Sequence, residues 1–146
     1  MLAGVSGHLL DRLQSILNAA ARLVFSARRS ERITLLLCDL HWLRVPERIQ
    51  FRLCVLAFRC LNASAPPYLA ESVRLTADVE GRHHLRSSTT MTLVVPSVQR
   101  STLGDRAFPV AASRAWNSLP PAILTVLSFT SFRQQLKTHL FRLSFG

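Results

Sequence analysis

One segment that is apolar on nearly every side constrains this chain more than any other feature. Pro46 suits the first turn of a helix, Glu47 lies near its positive end, and the pattern continues to Leu61 or Asn62. Apolar residues cover most of the helix circumference, and such a helix is buried on several sides. We therefore expect the rest of the chain to fold around this segment.

Three arginines interrupt the apolar circumference of this helix. Arg48, Arg52 and Arg59 fall within ~40° of one another at 100° per residue, so they form a single basic stripe. The stripe is either a phosphate-binding surface or the hydrated face of a buried helix, whose arginine stems cover apolar neighbours. Both interpretations stay open, and the structural one is favoured because a helix needs some polar face.

Periodicity and proline placement predict further helices over residues 8–26, 31–40, 66–74 and 108–119, and a last helix with Phe132, Leu136 and Leu140 on one face. Residues 91–95 look like a strand that Pro96 ends, with 98–102 as its partner. We expect a mainly α fold of five to six helices with a small β-hairpin around residues 91–102.

Three regions follow from these elements. Residues 1–76 form a helical region, residues 77–90 an exposed loop, and residues 91–146 the hairpin with its helices. The loop carries the basic residues Arg82 and Arg86 among histidines, serines and threonines. We expect the two helical regions to pack together as one compact unit.

The charge balance is strongly basic. The 146 residues include 18 basic and 8 acidic residues, for a net charge of +10, and Lys137 is the only lysine. Arginine makes forked contacts with phosphate, so the excess favours RNA or DNA, although GC-rich coding also raises the arginine content. The candidate nucleic-acid-binding residues are Arg48, Arg52, Arg82, Arg86, Arg100, Arg106, Arg133 and Lys137.

No catalytic or metal-binding constellation is expected. Polymerase chemistry needs acids that hold two metal ions together, and no two acids are adjacent in this sequence. The histidines and the three cysteines do not have the sequence spacing of a zinc site; the cysteines are Cys38, Cys54 and Cys60. Asp105 is expected to pair with Arg100 or Arg106 across a turn. We expect no cofactor, no small-molecule substrate, no transmembrane segment or signal peptide, and a place inside the cell, in the nucleus or the cytoplasm.

Residues 100–121 combine a Gly-Asp turn, a tryptophan beside an asparagine, and a Pro-Pro stop. Trp116 can stack on a nucleic-acid base, or it can anchor the core with its indole N–H bonded to a carbonyl; the second interpretation is favoured. We expect Gly104, Trp116 and Asn117 to be structural anchors.

Seven strings of this sequence, in order, resemble one family. Residues 40–45, with 48–49 and 51–52, are similar to its LHWLPV…RI.FK segment, although Arg44 stands where proline is usual. The other strings are 13–23, APPYL at 65–69, LRSS at 85–88, GDRAF at 104–108, WNSLP at 116–120, and 132–141. The family is the C-terminal, post-polymerase region of non-LTR (LINE-type, jockey-like) retrotransposon reverse transcriptases.

The resemblance implies a thumb-like role for residues 1–76, packed against a polymerase palm beside the template–primer. The parent polyprotein copies element RNA into DNA, but its metal-binding acids have no counterpart here. The resemblance thus implies a non-catalytic fragment, with RNA or DNA and the palm domain as expected partners. Three alternatives remain: a docking module for the polymerase, marked by a large exposed apolar patch; an expressed remnant with no selected activity; and, less favoured, a membrane-surface protein.

Overall fold

Helices dominate the part of the chain that the structure describes. The structure is a computed structural model, and it describes residues 5–79 and 91–146, with the backbone alone at 101–102. Five of the helices there have seven residues or more, so the expected mainly α fold class is confirmed. In chain order the helices are α1 (Gly7–Phe25), α2 (Ile33–Asp39), α3 (Val45–Leu61), α4 (Pro67–Ala70), a 3-10 helix (Thr76–Asp78), α5 (Ser101–Gly104), α6 (Phe108–Asn117), α7 (Pro121–Leu124) and α8 (Phe129–Phe145).

Prolines and one amide set several helix boundaries. Pro46 lies in the first turn of α3, where a missing N–H loses no hydrogen bond; α4 and α7 begin with a proline, and Pro109 is the second residue of α6. Asn62 caps the end of α3, and its Nδ2 donates to the Phe58 carbonyl oxygen at 2.8 Å. The side chain thus adds a second donor to this carbonyl, which also accepts from the Asn62 backbone N–H at 3.0 Å.

The main core lies where α3 packs against α6 and α8. Phe132, Leu136 and Leu140 of α8 are fully buried, and they occupy the i, i+4, i+8 face that the sequence predicts. The Phe132 ring stacks on Phe58 of α3 with 4.5 Å between centroids, and on Trp116 of α6 with 5.5 Å. Three helices thus meet at one aromatic cluster, to which residues on both sides of the 80–90 segment contribute.

A second, smaller core lies between α1 and α2. Ala21, Leu36 and Leu37 form its buried centre, and Ala21 is the only buried residue of α1. One polar contact connects α1 to the start of α3, because the Val45 N–H donates to Gln14 Oε1 at 2.9 Å. α1 is therefore attached to the fold along one side only.

The expected β-hairpin around residues 91–102 is wrong. Leu93 instead forms an isolated antiparallel bridge with Leu75, and its expected partner segment turns into α5, where the Gly104 N–H donates to the Arg100 carbonyl at 2.8 Å. The Val94 N–H donates to the Arg74 carbonyl at 2.9 Å. Backbone groups of this strand-like run are already hydrogen-bonded to residues earlier in the chain, and Pro96 has no N–H to donate. A local hairpin is therefore not needed to satisfy them.

Candidate functional site

An open groove of about 810 Å³ lies between α1 and α3. Four residues of α1 line it: Leu13, Ile16, Leu17 and Ala20. The opposite wall belongs to α3 and to the connector before it: Trp42, Val45, Arg48, Ile49, Arg52 and Leu56. The surface is therefore apolar except for two cations.

The groove exposes the apolar face of α1. At 100° per residue, Leu13 and Ala20 lie near the middle of the apolar side of this helix, whereas Gln14 and Ala21 lie at its edge. The contacts with α2 and α3 use that edge, so Ile16 stays 66% exposed. On the facing wall, Leu56 is only partly buried. The sequence predicted that α3 would be buried on several sides, but the side toward α1 is open.

Arg48 is held in place at the groove wall. Its Nε donates to the Leu43 carbonyl at 2.9 Å, and its guanidinium carbon lies 5.4 Å from the centroid of the Trp42 ring. Partial burial, and then the neighbouring charge of Arg52, lower the pKa of Arg48 below the usual arginine value. Among the described residues, Arg52 has no hydrogen-bond or ion-pair partner. Two adjacent cations therefore lack a compensating anion.

The other candidate arginines are spread over the surface. Arg59 donates to the Ser64 carbonyl at 3.0 Å, which leaves Arg48 and Arg52 as the members of the stripe that line the groove. Arg133 covers the Phe129 ring on α8, and exposed Lys137 follows one helical turn later. Arg100 and Arg106 are exposed on either side of α5, and Arg82 and Arg86 lie outside the described residues.

Trp116 and Asn117 together hold the strand-like run in place. The indole Nε1 of fully buried Trp116 donates to the Met91 carbonyl at 2.7 Å. The Asn117 amide makes two bonds with one residue: Oδ1 accepts from the Leu93 N–H and Nδ2 donates to the Leu93 carbonyl, both at 2.8 Å. The asparagine side chain thus pairs with Leu93 as a neighbouring strand does. Both side chains therefore have hydrogen-bond partners within the fold.

Gly104 is required by a close approach. A Cβ at this position would clash with the Val98 side chain, so any larger residue forces a backbone or side-chain shift. The expected pairing of Asp105 with Arg100 or Arg106 is wrong, because Asp105 Oδ1 accepts from Arg114 Nη1 at 2.9 Å. Arg114 lies nine residues away on α6, a distance in sequence that the turn pattern does not indicate.

The cysteines form no site within the part of the chain that is described. All three are free thiols, and no group of three metal-ligating side chains converges among residues 5–79 and 91–146. Burial raises the pKa of Cys54 to about 12 and also raises that of Cys60, although Arg59 opposes the second shift. Both thiols therefore stay protonated near neutral pH.

Comparison with known proteins adds no relative. No family model, curated protein or solved structure matches this chain. None of the described helices is long and apolar enough to cross a membrane. What the chain does must therefore be inferred from its surfaces and from the resemblance described above.

Proposed function

We propose that this chain is a non-catalytic C-terminal region of a LINE-type reverse transcriptase, and that it binds RNA or DNA with little sequence preference through arginine–phosphate contacts. The parent protein is an RNA-directed DNA polymerase whose metal-binding acids have no counterpart in this sequence. Such a protein acts inside the cell, where nucleic acid is its substrate.

The observation that supports binding best is the lack of internal charge compensation. The chain carries a net charge of +10, yet Asp105–Arg114 is the single ion pair within the described ranges. Phosphate contacts neutralise such cations and release condensed counterions, which favours binding most at low salt. Arg133 and Lys137, four residues apart on the exposed face of α8, lie close enough to contact neighbouring phosphates.

Fluorescence anisotropy with labelled single-stranded RNA and duplex DNA tests this function. The variant replaces four candidates by glutamine: Arg100, Arg106, Arg133 and Lys137. If these four contact phosphates, the slope of log K against log salt for a single strand falls by about 3 in the variant. The measurement compares binding at about 50 and about 200 mM salt.

A charge-matched control replaces four exposed arginines outside the candidate set by glutamine: Arg12, Arg28, Arg29 and Arg32. Both variants carry a net charge of +6, so a difference between them reports position and not total charge. Equal losses in both variants contradict the assignment of these residues. The absence of salt-sensitive binding by the folded wild-type chain contradicts the function itself.

A second candidate function is protein docking, with the palm domain of the polymerase as the partner that the resemblance suggests. The groove between α1 and α3 favours it, since large exposed apolar surfaces on soluble domains commonly mark interaction sites. If the chain binds neither nucleic acid nor protein, the remaining alternative is an expressed retroelement remnant without selected activity.

A further inference from the structure

The two walls of the groove carry side-chain ridges that match a third helix. Lining residues 13, 16, 17 and 20 of α1 follow the i, i+3, i+4, i+7 spacing, and those of α3 follow it from 45 to 56. Residues with this spacing lie one above another on the same helix face. Two such ridges enclose a trough, and the ridge of a third helix packs into a trough of this form.

The length of the groove sets the size of its occupant. The lining residues of α3 run from Val45 to Leu56, eleven steps of 1.5 Å, which is about 16 Å or three helical turns. A short amphipathic helix covers that distance with three or four apolar side chains. A flat lipid surface does not reach into a concave trough, and the apolar walls offer few contacts for a phosphate backbone.

The charges at the groove select the partner's chemistry. Arg48 and Arg52 are the only charged residues on its described walls, and neither is paired with an acid. Arg48 is already oriented by the Leu43 carbonyl and the Trp42 ring, so its guanidinium loses little freedom when it pairs. Carboxylates accept forked hydrogen bonds from arginine. A second copy of this chain would bring another +10 of charge to the same surface.

We propose that the groove between α1 and α3 binds an acidic amphipathic helix of a partner protein, whose apolar side fills the groove and whose carboxylates pair with Arg48 and Arg52. This inference rests on the docking function and specifies the chemistry of the partner. It does not depend on nucleic-acid binding through Arg100, Arg106, Arg133 and Lys137, which lie outside the groove.

The test measures binding of synthetic helical peptides to the full chain by fluorescence anisotropy. The probe peptide has leucines at i, i+3, i+4 and i+7 with glutamates beside them. A second peptide has glutamine in place of every glutamate, and a third keeps the acidic composition but scatters the leucines. We expect 1:1 binding of the probe, with affinity lower by about tenfold for the glutamine peptide and lower still for the scattered one.

Variants of the chain locate the binding surface. Ile16→Ser and Arg52→Gln change exposed groove residues, so both proteins are expected to fold, and each should weaken probe binding by about fivefold or more. The matched controls are Leu127→Ser, at a leucine 87% exposed outside the groove, and Arg142→Gln on α8; both should bind as the wild type does. Circular dichroism of each variant verifies that it is folded.

Each contrary result shows which part of the proposal fails. Equal affinity for the glutamate and glutamine peptides overturns the carboxylate pairing but leaves docking in place. Equal affinity for the scattered acidic peptide shows general charge attraction and overturns the proposal. No binding of any peptide refutes docking in this groove. If the chain forms a dimer that Ile16→Ser dissociates, a second copy occupies the groove and the proposal is overturned. If an RNA displaces the probe and Ile16→Ser weakens the binding of that RNA, nucleic acid occupies the groove and the proposal is likewise overturned.

Discussion

Replacement of Asn117 by alanine should destabilise the fold more than a surface position normally does. Two hydrogen bonds of 2.8 Å connect this one side chain to both backbone groups of Leu93, a residue only 2% exposed. A typical hydrogen bond contributes about 1 kcal/mol net, and a fully buried group left unpaired costs about 1–3 kcal/mol. Asn117 itself lies at the surface, so water can reach part of the site. We therefore expect each of the two Leu93 backbone groups to lose an amount near the lower end of that range, so that the free energy of unfolding falls by about 2 kcal/mol in total.

Urea unfolding followed by far-ultraviolet circular dichroism measures the free energy of unfolding of this variant. Asn117→Asp keeps the acceptor for the Leu93 N–H but loses the donor to the Leu93 carbonyl, so it should cost at least about 1 kcal/mol. The matched control is Gln135→Ala, which removes an exposed amide on α8 and should change stability by less than about 0.5 kcal/mol. Hydrogen exchange of the Leu93 amide should accelerate in Asn117→Ala. A stability equal to that of the control would refute the pairing.

Three further predictions concern Gly104, Cys54 and Leu136. Gly104→Ala should cost about 1–3 kcal/mol because the added Cβ clashes with the Val98 side chain. In a double-mutant cycle, Val98→Gly should remove most of that cost, and additive effects contradict the clash. A thiol reagent at about pH 8 should react with partly exposed Cys38 but with Cys54 only after unfolding. Because burial raises the pKa of Cys54 from 9.0 to about 12, the contribution of the protonated thiol to the free energy of unfolding is complete below pH 9.0 and is lost as the pH increases toward 12. Cys54→Ala should flatten this decline of stability with pH. Leu136→Ala in the core should cost about 2–5 kcal/mol in urea, and a cost similar to that of Gln135→Ala would contradict the packing.

The helices could be predicted because their signals are local. A face such as Phe132, Leu136 and Leu140 depends only on the helical period, and Pro46 marks a helix start through its own backbone chemistry. Neither signal needs knowledge of the rest of the fold. The mainly α fold class and the buried face of α8 therefore followed from the sequence.

The contacts between distant segments could not be predicted in the same way. Residues 91–95 have strand propensity, but the partners of Leu93 are Leu75 and the side chain of Asn117, which no local pattern connects to it. The pairing of Asp105 with Arg114 also joins residues that no local pattern connects. Local propensity shows what a segment can form, and tertiary contacts decide which partner it finds.

The groove illustrates a further limit of periodicity. The sequence pattern of α1 and α3 identifies their apolar faces correctly. The pattern of an apolar face is the same, however, whether this chain or another molecule covers that face. Only the placement of α1, with Gln14 and Ala21 toward the fold, shows that Ile16 remains exposed and that Leu13 is only partly buried.

The small core between α1 and α2 has a consequence for the opening motions of the molecule. Its buried centre consists of Ala21, Leu36 and Leu37, so it holds far less apolar surface than the cluster around Phe132. Segments with few buried contacts open at a lower free energy than the global transition, and their amides exchange first. α1 should therefore be the earliest cooperative unit to detach. A ligand that requires α1 in place would slow this opening in proportion to its occupancy, so amide protection along α1 reports binding without any label.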